Sequence, residues 1–355
     1  MPRVGQAVSR GTRILVRKWK QACCARSADV RAHGWIAFAG LAAGVAGCLD
    51  QTPCPSPVTE KFAEVRAPAD PPCRGSGSPY ERGAFSTRLV ALARCDHAAP
   101  MPARIFVPDH AGTFAVVVLI HGFNLPNICY GEIADHLASH GFVVVLPQIY
   151  EPGLVPLTGN PTAIEEARRV ARLLAWLRAH LGEAAGVKAR TDLLGLSGHS
   201  RGGKVAWMVL LEDPAAAAAI AGIDPVDGTG GPLGEQPRVI QGSFGLQIPS
   251  LVIGTGLAGS CAPAGDNHVQ FYAASAPPAW HIVALDQGHD DMMDEGCAIL
   301  GSLVCATGPD RPGMRRLTAG LLVAFFRATL QGDADALAWL TDVAAAPVAV
   351  SVEAR

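Results

Sequence analysis

Two hydrophobic rhythms alternate along most of this chain. Phe114–Ile120 (F-A-V-V-V-L-I) and Phe142–Leu146 (F-V-V-V-L) are unbroken apolar runs. Runs of this length predict strands buried on both faces, as in a parallel sheet. Ala103–Val107, closed by Pro108, predicts a short strand, and Asp192–Leu196, Ala217–Ile223, Leu251–Ile253 and His281–Leu285 predict four more. Between them the period changes. Across Ala163–His180 the apolar residues Ile164, Ala167, Val170, Leu173, Leu174 and Leu177 recur at helical spacing, with arginines on the other face. Ile133–His140 (closed by Gly141), Gly203–Leu211 and Met314–Leu330 predict further helices. Strands alternating with helices predict an α/β fold, a mostly parallel central sheet flanked by helices on both faces. No internal repeat is visible.

The leading segment differs in kind. Residues 1–34 carry Arg3, Arg10, Arg13, Arg17, Lys18, Lys20, Arg26 and Arg31 against the single acid Asp29. Trp35–Gly47 is uncharged and apolar. It is shorter than the roughly 20 residues a membrane-spanning helix needs, and it has the length of a secretory signal's apolar region. It ends Val45-Ala46-Gly47-Cys48, which resembles the lipobox of bacterial lipoproteins. That resemblance implies lipidation of Cys48 and a membrane-anchored protein of the cell envelope. An arginine-rich, acid-poor leader also fits a transit peptide, which makes the chloroplast the alternative address. Leu49 to Gly83 is rich in proline, glycine and serine and predicts an extended linker. The expected organisation is a targeting segment (1–47), a linker (48–83) and a catalytic domain (84–355).

Composition narrows the function. Of 355 residues, 49% are apolar and 17% charged, enough for one sizeable core. The net charge is −2, and past residue 35 no basic block is interleaved with aromatics, which argues against a nucleic-acid partner. The ten cysteines form no C-x-x-C pair, so no metal site is expected. In an oxidising compartment, Cys54 and Cys73 could pair with each other or with Cys95, and Cys297 with Cys305.

The candidate chemistry sits at Gly198-His199-Ser200-Arg201-Gly202, a G-x-S-x-G pentapeptide between a predicted strand and a predicted helix. In that setting the serine occupies a sharp strained turn with its hydroxyl above the sheet edge. A serine hydroxyl needs a base, and the base needs an orienting acid. On this architecture the order is serine, acid, histidine. His289 follows the last predicted strand in a loop opening with Gly288 and is the expected base. His268 is the alternative, while His281, inside an apolar strand, reads as structural. Asp224 stands at the end of strand Ala217–Ile223 and is the preferred acid. Asp227 is the alternative, and its other reading is a turn residue before Gly228. Asp290, Asp291 and Asp294 are too close in sequence to His289 and read as loop residues. An oxyanion needs two backbone donors. Arg201, next to the serine, and Phe123, in the loop after Phe114–Ile120, are expected to supply them. His121 reads as a hydrogen bonder that fixes this loop.

Several stretches together resemble the chlorophyllase family. They are Gly198-His199-Ser200-Arg201-Gly202-Gly203-Lys204 and the rarer Gly222-Ile223-Asp224-Pro225-Val226-Asp227-Gly228-Thr229-Gly230. Cys261-Ala262-Pro263, Asn267-His268, Pro278-Ala279-Trp280-His281, Gly288-His289 and Met314-Arg315-Arg316 continue the likeness, as do Leu119–Phe123, Ser139–Phe142 and Pro147–Tyr150 upstream. The likeness spans roughly residues 85–335. It implies the α/β-hydrolase fold, Ser200, Asp224 and His289 as triad, and no metal or cofactor. It also implies a small hydrophobic ester as partner: the phytyl ester of chlorophyll, cleaved to chlorophyllide and phytol. A general carboxylesterase or polyester hydrolase of the same fold is the alternative. A non-catalytic lipoprotein that binds a tetrapyrrole or lipid is the remote one.

Overall fold

The computed structural model describes residues 77–153, 160–228, 237–257 and 259–355. Among them, nine strands form one sheet in the order β1-β2-β4-β3-β5-β6-β7-β8-β9. The central strands are β3 (Thr113–Ile120), β4 (Phe142–Pro147), β5 (Lys188–His199), β6 (Ala219–Ile223), β7 (Ser250–Leu257) and β8 (Ala279–Gly288). These six run parallel, and their unbroken apolar runs lie in the interior. β1 (Thr87–Leu92) and β2 (Ala103–Pro108) at one edge, and β9 (Val350–Ala354) at the other, pair antiparallel. This is the mostly parallel α/β arrangement expected from the alternating pattern, and it agrees with the α/β-hydrolase fold that the resemblance implies.

Helices cover both faces. α1 (Gly131–Ser139) and α6 (Arg311–Leu330) pack together on one side, and α2 (Ala163–Ala185) and α3 (Arg201–Glu212) on the other. The core lies in two apolar layers, one on each side of the sheet. Phe326 of α6 is fully buried, and burying a side chain of this size contributes roughly 2–3 kcal/mol. The helix ends follow from local chemistry. Thr162 and Glu165 form a capping box at the start of α2, and Gly186 closes it in the left-handed region at φ +65°. Asp310 caps α6 by accepting from the Gly313 N–H at 2.8 Å. α1 is capped from a distance: the Asp294 carboxylate accepts from the Gly131 and Glu132 N–H groups, each at 3.0 Å. A cap of this kind is worth about 1 kcal/mol.

The predicted strands and helices are present, most with wider bounds; β6 is shorter, starting at Ala219 and not Ala217, and α1 is shifted, running Gly131–Ser139 and not Ile133–His140. Edge strands β1 and β9 and the seven-residue helices α4 (His268–Ala274) and α5 (Glu295–Gly301) are additional. Packing also reaches ahead of position 84: Tyr80 is buried, and the Gly83 N–H donates to Ser139 Oγ at 2.9 Å. Among the described residues no helix is long and apolar enough to cross a membrane.

The expected Cys297–Cys305 pairing is wrong. Cys297 is bonded to Cys129 and Cys305 to Cys261. α5 explains the exchange. Cys297 lies within the helix, against the turn that carries Cys129, whereas Cys305 lies beyond its end, where the chain passes the loop after β7. Each cysteine therefore meets a different neighbour. Cys95 also takes part in a disulfide. Cys48, Cys54 and Cys73 lie outside the described residues.

Candidate active site

All the site's elements end at one edge of the sheet, the C-terminal edge of the parallel strands. β5 stops at His199 and α3 begins at Arg201, so Ser200 alone makes the turn between them, at φ +54° and ψ −122°. A serine in this region is strained by about 1–3 kcal/mol, so its surroundings must hold it. The Ser200 N–H donates to the Ile223 carbonyl at 2.9 Å. The Ser200 carbonyl accepts from the N–H groups of Gly203 (3.0 Å) and Val226 (3.2 Å). The flanking glycines are steric necessities. A Cβ on Gly198 would lie 2.3 Å from the Gly202 carbonyl, and one on Gly202 would lie 2.5 Å from the carbonyl oxygens of Ile120 and His121.

His289 follows β8 directly. Its Nε2 lies 2.9 Å from Ser200 Oγ and its Nδ1 2.6 Å from Asp224 Oδ2. An ionised carboxylate only accepts, so Nδ1 carries the proton and Nε2 presents a lone pair to the serine hydroxyl. Asp224 stands immediately after β6 at φ +40°. Its carboxylate also accepts from the Thr255 hydroxyl at 2.8 Å and the Thr255 N–H at 3.1 Å. Asp224 is fully buried and His289 nearly so. Burial alone would push His289 below the usual histidine range, but the hydrogen bond and charge of Asp224 outweigh it and raise the imidazole. Burial likewise works to raise Asp224; the His289 hydrogen bond and charge, His268 and the Thr255 hydroxyl hold it below the usual carboxylate range instead. The pair therefore favours an ionised aspartate and a readily protonated imidazole.

The loop after β3 passes close over the serine. A Cβ on Gly122 would lie 3.1 Å from His199 Nδ1 and 3.4 Å from Ser200 Cβ. The Gly122 N–H is taken by Tyr130 Oη at 3.0 Å and the Asn124 N–H by Tyr150 Oη at 2.6 Å. Between them, the Phe123 N–H has no hydrogen-bond partner among the described residues. The same is true of the Arg201 N–H, the first of α3 and one of the donors every helix start leaves free. The two side chains meet as well. The Arg201 guanidinium lies over the Phe123 ring at 5.0 Å, and its Nη2 lies 2.8 Å from Glu166 Oε1, an ion pair rather than an aligned hydrogen bond. Nη2 donates instead to the Pro161 carbonyl at 2.7 Å. Burial pushes the Glu166 carboxyl up to about 7 against the opposing pull of Arg201. His121 receives the Ile149 N–H on Nε2 at 3.1 Å and donates from Nδ1 to the Gly122 carbonyl at 2.9 Å. Burial lowers it to about 4, so it stays neutral and fixes the loop.

His199, His289 and Asp290 bring potential ligand atoms within 4.8 Å of one another. Both nitrogens of both histidines already have hydrogen-bond partners. A metal here would have to break the serine–histidine–aspartate array.

The sequence model of the chlorophyllase family matches residues 76–354, nearly the whole described fold. The chain belongs to the chlorophyllase family. Its curated relatives include chlorophyllase-2 of Arabidopsis thaliana, 34% identical over 313 residues, covering 78% of this chain and 96% of the relative. Chlorophyllase-1, chloroplastic, of Citrus unshiu is 36% identical over 275 residues, covering 72% and 82%. Chlorophyllase-1 of Arabidopsis thaliana is 36% identical over 282 residues, covering 72% and 85%. At this level the chain is a carboxylic ester hydrolase of the α/β-hydrolase fold.

In this chlorophyllase-family chain, Ser200 and Asp224 each stand within hydrogen-bonding reach of His289, on opposite nitrogens of its ring, and Arg201 follows Ser200 with its guanidinium over Phe123. Asp227 points elsewhere, to Lys204 Nζ at 3.0 Å. His268 does not approach Ser200. It lies behind Asp224, with Nε2 4.0 Å from Oδ1 and Nδ1 2.8 Å from His281 Nε2. Asp291 accepts from the Gly288 and Gly308 N–H groups, each at 2.6 Å, and so organises the loop that carries His289. Four participants escaped the sequence reading: Thr255, Tyr130, His199 and Glu166. For Thr255 a signal was available, since the end of the strand beside the acid is where a second hydrogen-bond donor must stand.

Proposed function

We propose that this protein cleaves the phytyl ester of chlorophyll, giving chlorophyllide and phytol, with Ser200 as nucleophile, His289 as base and Asp224 as its orienter. The observation that supports this most is the unbroken chain of hydrogen bonds from Ser200 Oγ through His289 to Asp224, built on a strained serine that nothing but its chemistry requires. His289 Nε2 takes the hydroxyl proton as Oγ bonds to the ester carbonyl carbon. The resulting oxyanion rests on the N–H groups of Phe123 and Arg201. The carbon–oxygen bond to the alcohol then breaks, and phytol leaves with the proton from His289. Water attacks the acyl carbon as its proton passes to His289; the bond from that carbon to Ser200 Oγ then breaks, His289 returns the proton to Oγ, and the chlorophyllide acid leaves.

A general carboxylesterase or polyester hydrolase would use the same atoms, because the array fixes the reaction and not the acyl group. Purified protein assayed on chlorophyll a and on short p-nitrophenyl esters, with Ser200→Ala as control, separates the two. The expected result is turnover of both substrates, with a loss of several orders of magnitude in the variant. Short-ester turnover with chlorophyll untouched selects the general esterase. Undiminished activity of Ser200→Ala overturns the nucleophile, and a protein inert on every ester leaves the lipoprotein that only binds.

The address follows two lines. Disulfides such as Cys129–Cys297 suit an oxidising compartment, in keeping with export and a lipid on Cys48. Two Citrus relatives carry the word chloroplastic in their names, which supports the plastid. The mass of the amino-terminal peptide of the mature protein decides: a diacylglyceryl cysteine at Cys48 means the envelope.

A further inference from the structure

The hydrogen bonds around His199 form a chain whose polarity can be assigned end to end. The His289 carbonyl, 2.9 Å from His199 Nε2, can only accept, so Nε2 carries the proton. Burial drives His199 down to about 3, so the ring is neutral and Nδ1 bears a lone pair. Tyr130 Oη, 2.8 Å from Nδ1, must then donate its hydrogen there. The oxygen of the same hydroxyl accepts the Gly122 N–H at 3.0 Å. Tyr130 and His199 are fully buried, and the His199 ring lies 4.7 Å from that of His289. One end of this chain is the residue before Phe123, and the other is the main chain of the candidate base.

We infer that Tyr130 and His199 are positioning residues that lock the oxyanion loop and the His289 main chain into one rigid unit. This rests on the ester-hydrolase reading above. Packing alone does not call for these groups, since a phenylalanine ring would fill the space of Tyr130. The hydroxyl and the imidazole each use both a donor and an acceptor, and each turns one end of the site toward the other. The Gly122 N–H is thereby held away from the oxyanion, and its neighbour Phe123 is presented instead. The arrangement acts in the transition state: it sets where two donors and a base stand relative to the reacting carbon and adds no contact to the bound ester. Neutral His199 also adds no positive charge beside the imidazolium that forms on His289.

The test is kinetic, on a short soluble ester, with Tyr130→Phe, His199→Gln and the double variant. Each single variant is expected to lower kcat by about 10- to 100-fold with KM changed by less than about threefold. A boronic-acid mimic of the tetrahedral intermediate should lose affinity by the same factor. The double variant should be about as impaired as the worse single one, because either cut opens the same chain. His199→Gln keeps an amide donor for the His289 carbonyl and should retain more activity than His199→Ala. The inference is overturned if Tyr130→Phe keeps kcat within about twofold, if the two losses multiply in the double variant, or if KM alone moves. If Tyr130→Phe does not fold, the His199→Gln and His199→Ala comparison decides by the same kcat and boronate criteria. A wild-type protein inactive on every ester would sink the ester-hydrolase reading itself, whereas a fully active Tyr130→Phe protein sinks only the positioning role.

Discussion

Asp224 and Asp227 lie three residues apart in one loop, and both are buried carboxylates bonded to a basic side chain, yet their surroundings differ. Asp227 is neutralised by Lys204, whose Nζ lies 3.0 Å from Oδ1 and also donates to the Asp227 carbonyl at 2.6 Å. Its Oδ1 also accepts from the Val239 N–H (2.8 Å) and its Oδ2 from the Ile240 N–H (3.1 Å), which ties down that segment. Asp224 has no lysine or arginine within bonding reach. Its partners are a threonine and an imidazole, and its backbone sits at φ +40°, where an aspartate is rarely found. Burial and charge do not tell a structural carboxylate from one suited to catalysis. What differs is the partner: a lysine ammonium stays charged at neutral pH, while an imidazole can take up and return a proton there.

The largest effects belong to the first of the pair. Asp224→Asn should leave the fold in place and lower kcat by about 10⁴-fold, since an amide holds the wrong histidine tautomer and removes the charge that supports the imidazolium. The acid limb of the pH–kcat/KM profile should move as well. Asp224 raises His289, so without its charge the imidazole titrates lower and the limb shifts to lower pH. Near-normal turnover in this variant would move the acid's role elsewhere. Asp227→Asn is the opposite case. It strands a buried Lys204 and should cost about 3–5 kcal/mol in denaturant unfolding, while kcat per folded molecule changes little. A stable but inactive Asp227→Asn protein would reverse the contrast.

The central strands were legible because a strand buried on both faces must be apolar at every position, as in F-A-V-V-V-L-I. β9 was not: an edge strand with Glu353 and Ser351 facing out carries too few apolar residues to stand apart from a loop. α4 and α5 were too short for a helical period to show. Ser200, Asp224 and His289 were legible because chain order and strand ends locate them without knowledge of packing. The rest depends on neighbours far apart in the chain. Tyr130 meets His199 across 69 residues, and Cys129 meets Cys297 across 168. No local spacing announces such pairs. The mistaken Cys297–Cys305 pairing came from taking nearness in sequence for nearness in space.

The segment carrying His289 is tied to the loop after β7 by Cys261–Cys305, a bond spanning 44 residues. Removing it with Cys261→Ser and Cys305→Ser together should destabilise the protein by about 3–4 kcal/mol. This is comparable to losing the Asp227 pair and again has little effect on kcat. A large loss of turnover at unchanged stability would mean that the bridge shapes the site and does more than brace it.

The smallest effect concerns a third buried carboxylate, which stands between the two kinds. Glu166 faces a cation, Arg201, as Asp227 faces Lys204, but Arg201 leads on to Phe123 and the loop after β3. Burial is the dominant influence on Glu166 and raises it from 4.5 to about 7. Arg201, Arg169 and Lys204 pull the other way without cancelling it. Because the folded value lies above the unfolded one, folding takes up a proton here. The associated stability is complete below about 4.5 and is lost as the pH rises through about 7. Glu166→Gln keeps the shape and cannot ionise, so it removes this pH dependence. Its melting temperature relative to the wild type should therefore climb between pH 5 and pH 8, by roughly 2–4 °C for each kcal/mol that the ionised carboxylate costs the native state. Turnover at pH 8 should fall only a few-fold, because Arg201 keeps its bond to the Pro161 carbonyl and its place over Phe123. Parallel melting curves for the two proteins across that range would show that burial does not raise Glu166 and would overturn this prediction. A loss of turnover as large as that of Asp224→Asn would place it in the catalytic machinery with Asp224.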